Sequence, residues 1–149
     1  HLEWPLTPEN VKYVVDHIRR KPDQPIHPLY IAQILAKASE SMQSHVPGAV
    51  HHMDIPDHPD AKMVICGDVH GQLEDVLYVT MMHGTPGPLN SYIFNGDVAD
   101  RGNYAVECFV IILLHLILYP KRVMMNRGNH EDSTMNRRSQ KSGGGFYDE

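Results

Sequence analysis

The sequence predicts a layered α/β domain behind a helical lead-in, and three observations carry that expectation. Beyond Asp60, short apolar runs alternate with longer helical stretches, the pattern of strands joined by crossover helices. Before it, two stretches place apolar residues at helical spacing. Each of the three apolar runs then ends in a loop loaded with Gly, Asp, His and Asn.

Taken in order, residues 7–20 read as a helix. Thr7 can cap it, Pro8 suits its first position, and Val11, Val14, Val15 and Ile18 share one face. Lys21–Pro25 breaks it. A second helix opens at His27-Pro28, with Ile31, Ile34, Leu35, Ala38 and Met42 at helical spacing. Val46–Asp60 is rich in Pro and His and reads as loop, with one short strand at Val50–Ile55. Lys62–Cys66 reads as a buried strand, Gln72–Met82 as a helix ended by Gly84, and Tyr92–Asn95 as a second strand. Asn103–Tyr119 is then a crossover helix and Arg122–Asn126 a third strand. The expected division is a helical lead-in and linker over 1–60 and an α/β region over 61–149.

Composition narrows the function classes. Thirteen basic against eighteen acidic residues give −5, with no dense basic patch, which argues against nucleic acid as a partner. Protonating all eleven histidines would carry the charge from −5 to +6, so the surface field inverts in mild acid. The longest apolar run, Cys108–Tyr119, contains His115 and falls short of the roughly twenty residues a bilayer span needs, so no membrane role is expected. Two cysteines in apolar runs, Cys66 and Cys108, make no disulfide framework and fit the cytoplasm or nucleus. His45, His51, His52 and His58 read as a solvated linker, and Met81, Met82, Met124 and Met125 as core filler.

The three loops hold the chemistry. They are Gly67-Asp68-Val69-His70-Gly71, Gly96-Asp97-Val98-Ala99-Asp100-Arg101-Gly102 and Gly128-Asn129-His130-Glu131. Each alone is an ordinary turn, and the third could start a helix with Asn129 as its cap. In an open α/β sheet, however, ligands sit beyond the carboxyl ends of the strands, where these loops converge. Asp68, His70, Asp97 and Asn129 would offer two carboxylates, an imidazole and an amide oxygen, a donor set suited to Mn, Fe or Zn ions. A shared carboxylate would hold two ions about 3.5–4 Å apart and lower the pKa of a bridging water.

The three loops resemble the GDxHG, GDxVDRG and GNHE patterns of the metal-dependent serine/threonine phosphoprotein phosphatases, which are calcineurin-like metallophosphoesterases. The stretches GDVHGQLEDVLYV, YIFNGDVADRG, YPKRVMMNRGNHED and GFYDE extend the likeness over about 28–149. The subgroups it most resembles are those bearing EF-hands or tetratricopeptides. The resemblance implies the N-terminal half of a metallophosphoesterase β-sandwich flanked by helices, acting on phosphoprotein substrates with two divalent ions. Mn is the first choice, with Fe or Zn as alternatives. It implies that Asp68, His70 and Asp97 bind one ion, and that Asp97 and Asn129 reach the second. Arg101 would grip a phosphoryl oxygen, with Asn129 and His130 also at the substrate. His130 would protonate the leaving oxygen, and Asp100 would orient its imidazole. The implied reaction is direct in-line attack by metal-bound hydroxide.

Departures from the family pattern bear on this. Val98 and Ala99 replace bulkier residues behind the metal loop, and Asn136–Phe146 carries a polar, Gly-rich insertion that reads as a flexible loop or a misread exon edge. The histidines that complete the second metal site in the family lie beyond its GFYDE segment, and the chain runs from His1 to Glu149, so it reads as a fragment that would be inactive and poorly stable alone. Regulatory domains or subunits would lie outside it. Two alternatives stay open: a phosphoesterase acting on diadenosine polyphosphates, and a non-catalytic phosphatase-like binding protein.

Overall fold

Thr7 opens the first helix as its position predicts. Its hydroxyl accepts the Asn10 N–H at 3.3 Å while the Asn10 side-chain oxygen accepts the Thr7 N–H at 2.8 Å, and Pro8 follows at the first helical position. The helix, α1, spans Pro8–Arg20, and α2 spans Pro28–His45. The computed structural model describes residues 2–45, 48 and 50–149. Val11 and Ile18 of α1 and Ile34 and Ala38 of α2 are buried in the same core as the later elements, so the lead-in is packed on the α/β layer.

The strand expected at Val50–Ile55 does not form. Residues 50–56 have no regular structure, and Val46, Pro47 and Ala49 of the same stretch lie outside the described residues. What holds the segment is a side chain: the Arg122 guanidinium donates to the Asp54 carbonyl. A strand needs a ladder partner, and the sheet is formed by the three runs that follow.

β1 (Lys62–Cys66), β2 (Asn90–Phe94) and β3 (Val123–Met125) form a parallel sheet in the order β1-β2-β3. Val64 pairs with Tyr92, and Tyr92 with Val123; Cys66 pairs with Phe94, and Phe94 with Met125. α3 (Leu73–His83) joins the first pair and α4 (Ala105–Leu118) the second, each bound lying within two residues of the sequence expectation. α4 carries the core: Cys108, Ile111, Ile112 and Leu114 are each 2% exposed or less, against Tyr92, Phe94 and Val123 from the sheet. At full burial, side chains of this size each contribute about 1.5–3 kcal/mol. Burial pushes the Cys108 thiol up to about 12, which makes it inert, and both cysteines are free. β1 is an edge strand, and its Ile65 stays 69% exposed on the face away from this core.

α4 starts at Tyr104 without a side-chain cap of its own. The carboxylate of Glu149 supplies one instead, accepting the Val106 N–H at 3.1 Å. Burial, followed by the neighbouring Glu149 charge, pushes the Glu107 carboxyl above its ordinary value.

The expectation of a flexible loop over 136–146 is overturned. A short helix α5 (Ser133–Asn136) starts at Asp132, whose carboxylate accepts the Thr134 N–H at 2.9 Å and the Met135 N–H at 3.3 Å; Asn129 is not its cap. A 3₁₀ turn follows at Gln140–Ser142. The Phe146 ring packs 5.4 Å from that of Phe109, and the Arg137 guanidinium sits 4.2 Å over the Tyr147 ring. Polar, Gly-rich composition suggests a flexible loop, but one aromatic and a set of main-chain bonds hold the stretch in place.

His115 is buried on α4, with Nδ1 bonded to the Ile111 carbonyl at 2.8 Å. Burial lowers its pKa below 6.5, an effect partly opposed by that bond. Its contribution to stability is therefore present above 6.5 and lost as pH falls through the lower folded-state value. Urea denaturation at pH 7.5 and 5.5 should show a smaller acid-induced loss for His115→Leu than for the wild type. Parallel losses in the two proteins would refute this.

Candidate active site

The loops after β1, β2 and β3 meet at one edge of the sheet, because parallel strands all deliver their carboxyl ends to the same side. The loop after β2 is the hub. The Val69 and His70 N–H groups donate to the Asp97 carbonyl at 3.0 and 2.9 Å, and the Gly71 N–H donates to the Val98 carbonyl at 2.9 Å. The first two loops are thereby locked together by main chain alone. Gly128 lets the third approach: a Cβ there would run into the Asp97 carboxylate.

Four non-glycine residues here adopt left-handed backbone: His70 (φ 45°), Asp97 (φ 51°), Asp100 (φ 68°) and Arg101 (φ 66°). They are the only non-glycine residues with positive φ among those described, and all four carry expected site side chains. Such conformations cost about 1–3 kcal/mol each and persist only where the surroundings fix them.

Asp68, His70 and Asp97 converge as the sequence predicts, with one ligand atom from each lying within 4.8 Å of the others. His70 Nε2 is 3.7 Å from Asp68 Oδ2. His70 Nδ1 lies 2.8 Å from the Ala99 carbonyl, which can only accept, so Nδ1 carries the proton and Nε2 presents its lone pair. That Nε2 is buried and has no hydrogen-bond partner. An unsatisfied buried acceptor flanked by two carboxylates is what a divalent cation satisfies, so the residues present fit the expected metal. Asn129 is exposed on the adjoining turn, and its amide makes no hydrogen bond with another described residue.

His130 and Asp100 form a buried pair. His130 Nδ1 lies 2.9 Å from Asp100 Oδ2, and Asp100 is fully buried. With Nδ1–H given to Asp100, His130 Nε2 accepts from the Arg101 guanidinium at 3.4 Å. The His70 and His130 rings stand edge-to-face with centroids 4.7 Å apart, which places His130 against the metal-ligand cluster. The His130 N–H also donates to Asp97 Oδ1 at 2.7 Å. Every expected site residue except Asn129 is thus tied by a contact to another.

Glu131, given no role by sequence, is the anchor beneath them. Its carboxylate accepts the N–H groups of Asp97 (2.8 Å), Val98 (2.8 Å), Ala99 (3.1 Å) and Gly128 (2.7 Å). The only trace of this in the sequence is its place as the last residue of the Gly-Asn-His-Glu string. Asn136 and Gln140 are also unanticipated: the Asn136 amide donates to Asp100 Oδ2 at 3.0 Å, and that of Gln140 donates to the Arg101 carbonyl at 2.9 Å.

Glu131→Ala strands four N–H donors, so it should cost on the order of 3 kcal/mol in denaturant unfolding, given the strength of bonds to a charged acceptor. A loss no larger than that of an exposed Glu→Ala change elsewhere would count against the anchor role. Asp97→Asn should weaken Mn binding by at least about tenfold in calorimetric titration, since ligand-set changes act on that scale. Unchanged affinity would remove Asp97 from the ligand set.

Comparisons with known proteins agree with this geometry. Residues 61–149 match the model of the calcineurin-like phosphoesterase family. The serine/threonine-protein phosphatase rdgC of Drosophila melanogaster is 37% identical over 142 residues, covering 92% of this chain and 20% of that protein. Serine/threonine-protein phosphatase T of Schizosaccharomyces pombe is 40% identical over 110 residues, covering 74% of this chain and 23% of that protein. A solved structure of a Saccharomyces cerevisiae protein serine/threonine phosphatase with similarity to human phosphatase PP5 superposes with a TM-score of 0.80 at 32% identity, covering 89% of this chain and 41% of that one. The chain therefore spans roughly a fifth of the length of the curated relatives it matches. With the family model covering more than half of its residues, the chain belongs to the calcineurin-like phosphoesterases.

Proposed function

We propose that the protein carrying this chain hydrolyses phosphoserine and phosphothreonine esters on proteins, and that residues 61–149 are the N-terminal half of its catalytic domain behind the lead-in of 1–60. The observation that supports it is the convergence of the Asp68–His70–Asp97 cluster, the His130–Asp100 pair and Arg101 on one sheet edge. Two divalent ions, with Mn first and Fe or Zn as alternatives, would be held by Asp68, His70, Asp97 and Asn129. Once bound, they supply Lewis-acid charge neutralisation and a nucleophile from water at neutral pH.

The chain's own residues account for the rest. The exposed Arg101 guanidinium can hold two phosphoryl oxygens as a fork, once its contact with His130 Nε2 at 3.4 Å gives way to the substrate. Protonated at that atom, His130 delivers the proton to the departing serine or threonine oxygen. Asp100 holds Nδ1–H and stabilises the charged imidazole, fixing both the tautomer and the ring plane. The main-chain bond from His130 to Asp97 Oδ1 couples the position of the acid to that of a metal ligand. Phosphoprotein substrates and regulatory domains outside this segment complete the reading. EF-hands are carried by a Homo sapiens relative named for them, 34% identical over 137 residues. The free cysteines suit a reducing compartment, cytoplasm or nucleus. No described helix is long and apolar enough to cross a membrane.

The test is phosphate release by the intact natural protein with Mn, offered a phosphoserine peptide and a diadenosine polyphosphate in parallel. The peptide should be the better substrate, and His130→Asn should lower its kcat by about 10²–10⁴-fold. Preference for the dinucleotide would replace this reading with the related phosphoesterase activity. Turnover of neither would leave a binding protein.

A further inference from the structure

Asp100 is fully buried, and its carboxylate has three donors: His130 Nδ1 and the Asn136 amide on Oδ2, and the Phe146 N–H on Oδ1 at 3.0 Å. The Asn136 amide makes a second bond, to the His130 carbonyl at 2.7 Å. One side-chain amide therefore touches both the carboxylate that orients the imidazole and the main chain that carries it. The two contacts fix the distance between Asp100 and the His130 backbone from one point.

The main chain of Asn136 acts on the same pair by another route. Its carbonyl accepts the N–H groups of Gly145 at 3.4 Å and Tyr147 at 3.2 Å. That closes the turn that delivers the Phe146 N–H to Asp100. The Gly144 carbonyl accepts the Arg101 N–H at 3.1 Å, and Gln140 holds the Arg101 carbonyl, so the same segment braces the phosphate-facing residue as well. Because the turn is closed by main chain, a change confined to the Asn136 side chain removes the bonds to Asp100 and His130 while leaving the brace in place.

We infer that Asn136 is a positioning residue for proton delivery to the leaving group, acting through Asp100 and His130. The inference rests on the hydrolytic reading proposed above. Its consequence is selective. An alkoxide leaving from phosphoserine needs a proton from a well-placed imidazole, whereas p-nitrophenolate leaves without one. Loss of the amide should therefore steepen the dependence of rate on the leaving group, which a general loss of structure would not do.

The experiment uses the intact protein with Mn and compares wild type, Asn136→Ala and Asn136→Ser. For Asn136→Ala, kcat on a phosphoserine peptide should fall by at least about tenfold, a part of the full contribution of a general acid. On p-nitrophenyl phosphate it should change by less than about threefold by the same reasoning. Asn136→Ser, which keeps a shorter donor, should fall between. A second readout needs no turnover: in protein with isotope-labelled histidine, the low-field imidazole N–H signal of His130 should broaden or vanish in Asn136→Ala. Equal losses on the two substrates, no loss on either, or an unchanged imidazole signal would overturn the inference. A wild-type protein that hydrolyses neither substrate would instead overturn the hydrolytic reading, and the imidazole signal would still decide whether Asn136 positions His130.

Discussion

The carboxylate of Glu131 gathers main-chain N–H groups from two loops that are thirty residues apart in sequence. Without it, four N–H groups of the two turns lose their acceptor, and the loop bearing His130 is left with the bonds from His130 to Asp97 and Asp100 to hold it to the turn carrying Asp97. An anion placed among converging amides acts here as a structural ion would, but it is covalently part of the chain and is delivered as soon as β3 pairs with β2. The positions of the metal-ligand cluster and of the buried acid both depend on this contact. The strained backbone at Asp97, Asp100 and Arg101 is tolerable only because the neighbouring amides are so fully occupied.

Around that anchor the site is layered. The bottom layer is main chain, with the loops after β1 and β2 locked through the carbonyls of Asp97 and Val98. The next is the set of side chains that hold the functional loops and side chains: Glu131 through main-chain N–H groups, and Asp100 and Asn136 through His130 and each other. Only the uppermost, Asp68, Asn129 and Arg101, is exposed to what arrives from outside. Such an order puts the rigid, buried charges beneath and the adaptable ones on top, a sound arrangement for stabilising charge that develops during a reaction.

The legibility of these layers in the sequence followed their range. The bounds of Lys62–Cys66 are legible because a four-residue apolar run between a lysine and a glycine has one local solution, although as an edge strand it is only partly buried. Thr7 and Pro8 announced α1 for the same reason. Asp68, His70 and Asp97 were legible because three polar strings after three strands must meet at one sheet edge, and His130 through the likeness of its string to the family pattern. Glu131 and Asn136 were not, since a carboxylate bonded to amides thirty-odd residues away leaves no periodicity or spacing to detect. The strand expected at 50–55 does not form, for an extended segment without a partner strand makes no sheet. The Gly-rich stretch failed because composition reports the cost of ordering a segment and says nothing of the anchors that offset it.

Ile65 stands on an edge strand, exposed, with Ile93 and then Met124 in register beside it on the face away from α4. Along that edge β1 has no ladder partner among the described residues, and its outer peptide groups form a template open to any extended chain. An apolar stripe beside an open ladder makes self-association cheap in solution. Lys62, the one charged residue on β1, shares its face with Val64 and Cys66, so no charge of β1 stands on the Ile65 face. A partner laid along β1 would close the open ladder and cover Ile65 at once, so solubility is the property by which a covered and an uncovered sheet would first differ.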